Sequence, residues 1–292
     1  MINDKNAAII AQKFIDAIQN GTVDGTWVRP WNVGDNGMPH NPVSDKPFTG
    51  TNAFILLMNG GGQWATFKQW KKLGAQVLKR EDVGPGTHVL RPIIKKDPAN
   101  PLDDGVLLGF KPYVVFSANQ VSGYEAPVIE KPEFDFQSIE RAEKFIKATG
   151  ASIRYDEVGV RGAYYSPGMD SINMPAKSLF KSEEGFYSTI CHELAHWSGH
   201  ESRLDRKLNH GRFGDEAYSF EELVAEFTST FLCAHLGVHQ GFRDNHAKYL
   251  KSWVKVLKDE PTALTSAASM ADKAFNYLKT FDVVGKDKIR AA

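Results

Sequence analysis

The stretch Cys191-His192-Glu193-Leu194-Ala195-His196-Trp197-Ser198-Gly199-His200 carries the residue types and spacing in this sequence that could do chemistry. Two histidines four residues apart on a helix lie one turn apart on one face, so both imidazoles can reach a single metal ion. Glu193, beside them, can act as general base toward a water at that metal, which is the layout of a zinc peptidase. Zn2+ is the expected metal, with another divalent ion such as Mn2+ as the alternative. The bland reading is a helix that merely carries two partly exposed histidines.

A catalytic zinc needs a third protein ligand and an open position. His200 follows Gly199 and falls beyond the helix, and the spacing that would place a third histidine further along meets Ser202. A better source is the segment opened by Ser219, where Glu222 and Glu226 lie four apart on one helical face. Glu222 is the expected ligand, with Glu226 orienting a ligand histidine through its free ring nitrogen. The reverse assignment stays open, because Ser219-x-x-Glu222 is also a capping box that would engage Glu222 at the helix N-terminus and leave Glu226 to the metal. Tyr218 and His200 are candidate donors to an oxyanion.

The elements that must position these groups read as follows. Ser182 caps a helix over about 183–198, and Gly199 supplies its stop. Upstream lie an amphipathic helix over 137–149 and three short strands, 151–155, 162–166 and 171–174, punctuated by glycine and proline. A small sheet leading into the histidine-bearing helix is the zincin plan, with 162–166 as the edge strand able to hold an extended peptide. Two further helices, 245–258 and 262–281, carry aromatic residues at core spacing.

The N-terminal half opens with a helix over 6–19, then a Gly/Asn/Pro-rich loop bearing Trp27, Arg29 and Trp31. Asn52 caps a helix over 53–58, and Thr66 with Gln69 forms a capping box that starts a short helix through Trp70, Lys71 and Lys72. Strands are expected over 75–80, 87–95 and 106–117. Charge is uneven here: Lys68, Lys71, Lys72, Lys79, Arg80, Arg91, Lys95 and Lys96 face only Glu81 and Asp82 between residues 61 and 96. Basic residues interleaved with Trp64, Phe67 and Trp70 suit a surface that tracks phosphates and stacks bases, while a plain solvated face is the competing reading. The fold class is α+β in two domains: residues 1–125, a linker at 126–136, and residues 137–292.

Lys+Arg and Asp+Glu are balanced at 35 each, so net charge excludes neither a nucleic-acid nor a protein partner. Two cysteines are too few for a disulfide framework and suit a reduced, cytoplasmic protein. The N-terminus lacks a signal-peptide profile, and no apolar run is long enough to span a bilayer, so no membrane partner is expected.

The Thr189-to-His200 stretch, then Arg203-Leu204-Asp205-Arg206, Phe213-Gly214-Asp215 and Glu221-Glu222-Leu223-Val224-Ala225-Glu226, resembles the ArdC-type antirestriction proteins of conjugative plasmids and the matching region of TraC-type primases. The N-terminal half is similar too, in Pro30-Trp31, Gly50-Thr51-Asn52, the Trp64-to-Gln69 segment and the Phe116-to-Val121 segment. The resemblance implies an N-terminal domain that binds single-stranded DNA, with double-stranded DNA as a second option. It also implies a C-terminal zincin-like metallopeptidase acting on an unidentified protein substrate, and a role in protecting incoming plasmid DNA from host restriction. His192, His196 and a glutamate of the 222–226 segment are then the metal ligands and Glu193 the base. Trp27, Arg29, Trp31, Lys68, Trp70, Lys71, Lys72, Lys79 and Arg80 are the candidate DNA contacts.

Overall fold

A computed structural model describes residues 4–20, 22–23, 26–27, 37–95, 106–126, 136–156, 162–180, 182–207, 216–238 and 246–282. The N-terminal half runs α1 (Asp4–Asn20), β1 (Thr22–Val23), β2 (Thr26–Trp27), β3 (His40–Asn41), β4 (Lys46–Pro47), α2 (Gly50–Met58), β5 (Trp64–Ala65), α3 (Phe67–Lys72), β6 (Gln76–Val77), α4 (Arg80–Val83), β7 (Thr87–Lys95), β8 (Val106–Ser117) and β9 (Val121–Ser122). The C-terminal half runs α5 (Phe136–Thr149), β10 (Ser152–Asp156), β11 (Tyr164–Ser166), β12 (Ser171–Pro175), α6 (Glu183–Ser198), α7 (Glu216–Leu236), α8 (His246–Asp259) and α9 (Thr262–Lys279). The architecture is α+β. Among the described residues, no helix is long and apolar enough to cross a membrane.

The helix α7 is the central element. It is buried on nearly every face, as a helix must be when apolar residues surround it. Its first half joins a cluster with α1, α2, α8 and α9, in which the rings of Phe14, Phe54 and Phe227 meet, Phe54 and Phe227 at 4.0 Å between centroids. Its second half joins another cluster with α5, the β10-β12-β11 sheet and α6, through Leu232 and Cys233. Apolar packing therefore crosses between the two halves of the sequence, since α1 and α2 bury their faces against helices that follow the metal-binding motif.

In the C-terminal sheet, β10 pairs with β12 in parallel and β11 pairs with β12 antiparallel, which leaves β11 at an edge. That edge strand packs against α6. In the N-terminal half, β7 and β8 form a long antiparallel hairpin, with β5 on the other side of β8. The 75–80 strand is shorter than expected, because Lys79 starts the single turn α4 and only Gln76 and Val77 pair, with β9.

The cap assigned to Asn52 is also corrected. The residue at the N-cap of α2 is Thr49, whose side chain makes no capping bond, and Asn52 lies inside the helix. Its amide instead receives the Leu90 N–H at 2.8 Å and donates to the Leu90 carbonyl at 2.7 Å. Among the described residues no strand pairs with the outer edge of β7, and Asn52 supplies one rung of a ladder there. Asn52→Ala should strand both Leu90 backbone groups and cost about 2–4 kcal/mol in urea unfolding, against about 1 kcal/mol for a lost helix cap.

Candidate metal centre

The local rules of helix formation fix α6. Ser182 Oγ accepts from the Gly185 N–H at 3.1 Å, and Glu183 and Glu184 occupy the first turn, where the helix dipole favours carboxylates. From there to Ser198 the helix is almost wholly buried between the sheet and α7.

His192 and His196 project from one face of α6 with their Nε2 atoms 3.1 Å apart. Glu222, from α7, places its carboxylate oxygens 3.5 Å from His192 Nε2 and 3.3 Å from His196 Nε2. These are the three residues, among those described, whose ligand atoms lie within 4.8 Å of one another. Each ring's other nitrogen also meets a carboxylate: His192 Nδ1 lies 3.3 Å from Glu226, and His196 Nδ1 donates to Glu221 at 3.1 Å. The donor set fits a divalent cation, since two imidazoles and a carboxylate converge on one point and both rings are backed by acids that would hold their Nε2 lone pairs toward it.

Charge in this pocket is strongly coupled. Burial works against a charged His196 ring, yet the Glu222 carboxylate, the Glu221 hydrogen bond and Glu221's charge push it up to about 10. Glu222 responds in the other direction: burial would raise it, but the two histidines hold it well below the usual carboxylate range. A charged His196 and an ionised Glu222 therefore attract across this space. Glu193, next to His192, is also buried, at 4% exposed.

Two residues that spacing did not single out complete the arrangement. Glu221 belongs to the site through His196, and Arg206 through Glu221. After Gly199 the chain curls back, with Asp205 and Lys207 at positive φ, so that Arg206 lies over the end of α6. Its guanidinium donates to both Glu221 oxygens at 3.1 and 2.7 Å, to Ser198 Oγ at 2.9 Å and to the Ala195 carbonyl at 2.6 Å. The signal was present in the Glu221-Glu222 doublet and the arginine, but only the fold brings residues fifteen apart together.

Gly199 owes its place to this arginine. Its backbone is right-handed, not the left-handed stop that glycine usually provides, and a Cβ there would sit 2.7 Å from the Arg206 guanidinium. The neighbouring Arg203 stacks on Trp197 at 3.9 Å and ion-pairs with Asp170, holding that carboxyl below its ordinary range and tying the turn to the β11–β12 connection. His200 bonds with Ser202 within the same turn.

The candidate DNA contacts divide. Lys68, Lys71, Lys72, Lys79 and Arg80 are all exposed around α3 and α4. Trp70 is not: it is fully buried, its indole N–H donates to the Phe116 carbonyl at 2.9 Å, and its ring meets Tyr124. It anchors α3 to β8 and cannot stack a base. Trp64 is buried as well, whereas Phe67 is 56% exposed beside Lys68. Trp27 lies in β2 with its side chain outside the described residues, and Arg29 and Trp31 lie outside them altogether.

A His/His/Glu centre on two packed helices, beside a small sheet with β11 at its edge among the described residues, defines a zincin-like metallopeptidase domain joined to an α+β N-terminal region. Residues 140–270 match the family model described as "Zincin-like metallopeptidase", and residues 4–96 match "N-terminal domain of anti-restriction factor ArdC". The chain belongs to the ArdC antirestriction family. It is similar to the crystal structure of the antirestriction ArdC protein from the R388 plasmid in its metal-free form, at 31% identity and a TM-score of 0.74, over 94% of this chain and 97% of that one. The Mn(II)-bound structure of the same protein matches with the same identity and TM-score over 95% and 98%. Two Escherichia coli proteins named DNA primase TraC are 36% and 35% identical over 94% of this chain, which spans only 20% and 27% of their lengths.

If His196 carries a proton in the metal-free protein, a cation must displace it. Metal affinity should therefore rise by up to about tenfold per pH unit between pH 6 and 9, with close to one proton released, measured by calorimetry in buffers of different ionisation enthalpy. Glu226→Gln and Glu221→Gln should each weaken metal binding about 10- to 100-fold, and Glu222→Gln more than either.

Proposed function

We propose that this chain is an antirestriction protein that holds single-stranded DNA with its N-terminal half and carries a zinc-dependent peptidase site in its C-terminal half, protecting incoming plasmid DNA during conjugation. The observation that carries the peptidase part is the convergence of His192, His196 and Glu222 with a second carboxylate behind each ring. The existence of an Mn(II)-bound form of the R388 relative supports a divalent ion for this chain, and Zn2+ is our assignment with Mn2+ as the alternative.

A bound divalent cation would polarise a peptide carbonyl and lower the pKa of water to about 7. Glu193 would accept the proton as water attacks the carbonyl carbon, then return it to the departing amine. Glu226 and Glu221 would keep both rings in the tautomer that leaves Nε2 unprotonated. The open edge of β11, packed against α6, offers backbone groups to an extended chain, which fits a polypeptide substrate.

The DNA part rests on the exposed cations of α3 and α4 and on Phe67 among them. Such a surface binds through phosphates and stacking without reading sequence. A second reading has a specific observation in its favour: α7 supplies Glu221, Glu222 and Glu226 and also the core face against which α1 and α2 pack. A metal that fastens α6 to α7 would then act as a structural staple for a DNA-binding protein that cuts nothing.

Glu193→Gln separates the two. On the peptidase reading it keeps metal and fold while hydrolysis falls about 10^2- to 10^4-fold and protection in a conjugation assay into a restricting host is lost. On the staple reading protection persists. Replacing Lys68, Lys71 and Lys72 with Gln should weaken oligothymidine binding and reduce the salt slope by up to about 2, at about 0.7 per phosphate contact; an unchanged slope would place the DNA elsewhere.

A further inference from the structure

The β7–β8 hairpin carries an arrangement that the surface just described does not use. Arg91 and Lys111 are cross-strand partners in register, so two like charges face each other on one side of the ladder. Directly opposed like charges weaken a strand pair. Neither has an ion-pair partner among the described residues, and both open into a cavity of about 550 Å3 between the β3–β4 hairpin, the start of α3 and the middle of β7 and β8. Lys46 of β4 lines the same cavity, and no carboxylate does. Asp45, between the lining residues Ser44 and Lys46 in sequence, is 3.3 Å from His40.

The neutral lining points the same way. The Gln69 amide oxygen is consumed inside the fold, accepting from the Thr66 N–H and hydroxyl and from the Asn41 amide, which orients the Gln69 nitrogen away from those bonds. The Asn41 oxygen is likewise consumed by the backbone N–H groups of Val43 and Ser44. Acceptors are used up locally, and cations remain. Phe48 and Tyr113 give the cavity an apolar side; burial pushes the Tyr113 phenol up, with the Arg91 charge opposing, so it stays a neutral hydrogen-bond donor. Three cations, donors and two aromatic side chains around a volume within the range of small-ligand pockets match a mononucleotide unit.

We propose that this cavity seats one unpaired nucleotide of the bound strand, its phosphate between Arg91 and Lys111 and its base against Phe48 and Tyr113. The inference rests on the DNA-holding reading above and locates a subsite within it. Thr66 and Gln69 on the cavity wall belong to the cap and first turn of α3, the same short helix that bears the exposed Phe67, Lys68, Lys71 and Lys72, so the cavity adjoins the helix assigned to the strand. The phosphate neutralises a like-charge pair that the hairpin otherwise bears uncompensated.

The test uses the full chain and a fluorescein-labelled (dT)12. Arg91→Gln with Lys111→Gln should weaken binding about tenfold near 0.1 M salt and lower the salt slope by about 0.7, the share of the one phosphate that the pair neutralises. The thermal midpoint of the DNA-free protein should stay level or rise, since the opposed charges are gone. Independently of any variant, irradiation of wild-type protein with a 4-thiothymidine dodecamer should crosslink peptides containing Phe48 or Tyr113. Wild-type binding with no loss in the double variant, or crosslinks confined to α3, overturns the cavity assignment and leaves DNA binding standing. Failure of wild-type protein to bind (dT)12 at all overturns the DNA reading itself and the cavity with it.

Discussion

Two imidazole nitrogens held 3.1 Å apart in a protein interior, with a carboxylate against both, form an arrangement that does not hold itself together. Without a shared proton or cation, ring lone pairs oppose each other in a medium of low dielectric. The surrounding structure has to force the approach. The stiffness of α6, the breadth of its contact with α7 and the carboxylates behind each ring all serve that end, and the chain that follows the motif folds back for the same reason. Arg206 neutralises Glu221, Glu221 fixes His196, and Gly199 leaves the room that Arg206 needs.

The regular parts of this centre were legible because they depend on local rules. Ser182 as cap, the span of α6 and the i, i+4 placement of both histidines follow from propensity, periodicity and punctuation, and the structure has them as expected; the edge strand expected over 162–166 is there too, shortened to Tyr164–Ser166. Glu222 was favoured over Glu226 from sequence, but four-residue spacing puts both on one face, and it is the packing of α7 against α6 that brings Glu222 to the two Nε2 atoms. Glu221 and Arg206 were hidden for a related reason: their meeting depends on a turn with two residues in left-handed conformations, which no pattern of apolar residues announces.

In the N-terminal half, misreadings came from assigning side chains by neighbours in sequence. Trp70 sits among lysines, and from sequence it looks like a base-stacking ring; in three dimensions α3 turns it inward, and its indole N–H satisfies a β8 carbonyl. Asn52 precedes an apolar run and looks like a cap, but its amide is spent on an edge strand thirty-eight residues away. The same edge-strand logic explains how β7 can lie beside a helix without a further strand. Side chains that replace a missing ladder are invisible to any reading that treats helices and strands separately.

The meeting of Phe14, Phe54 and Phe227 bears on how such a chain can be inherited. A recombination event that cut between the two halves would leave α1 and α2 with exposed aromatic faces and α7 with an unfilled groove, so neither fragment would be a ready-made part. The far longer TraC proteins resemble this chain over 94% of its length, both halves together, so in those relatives too the two sides of this aromatic seam travel in one chain.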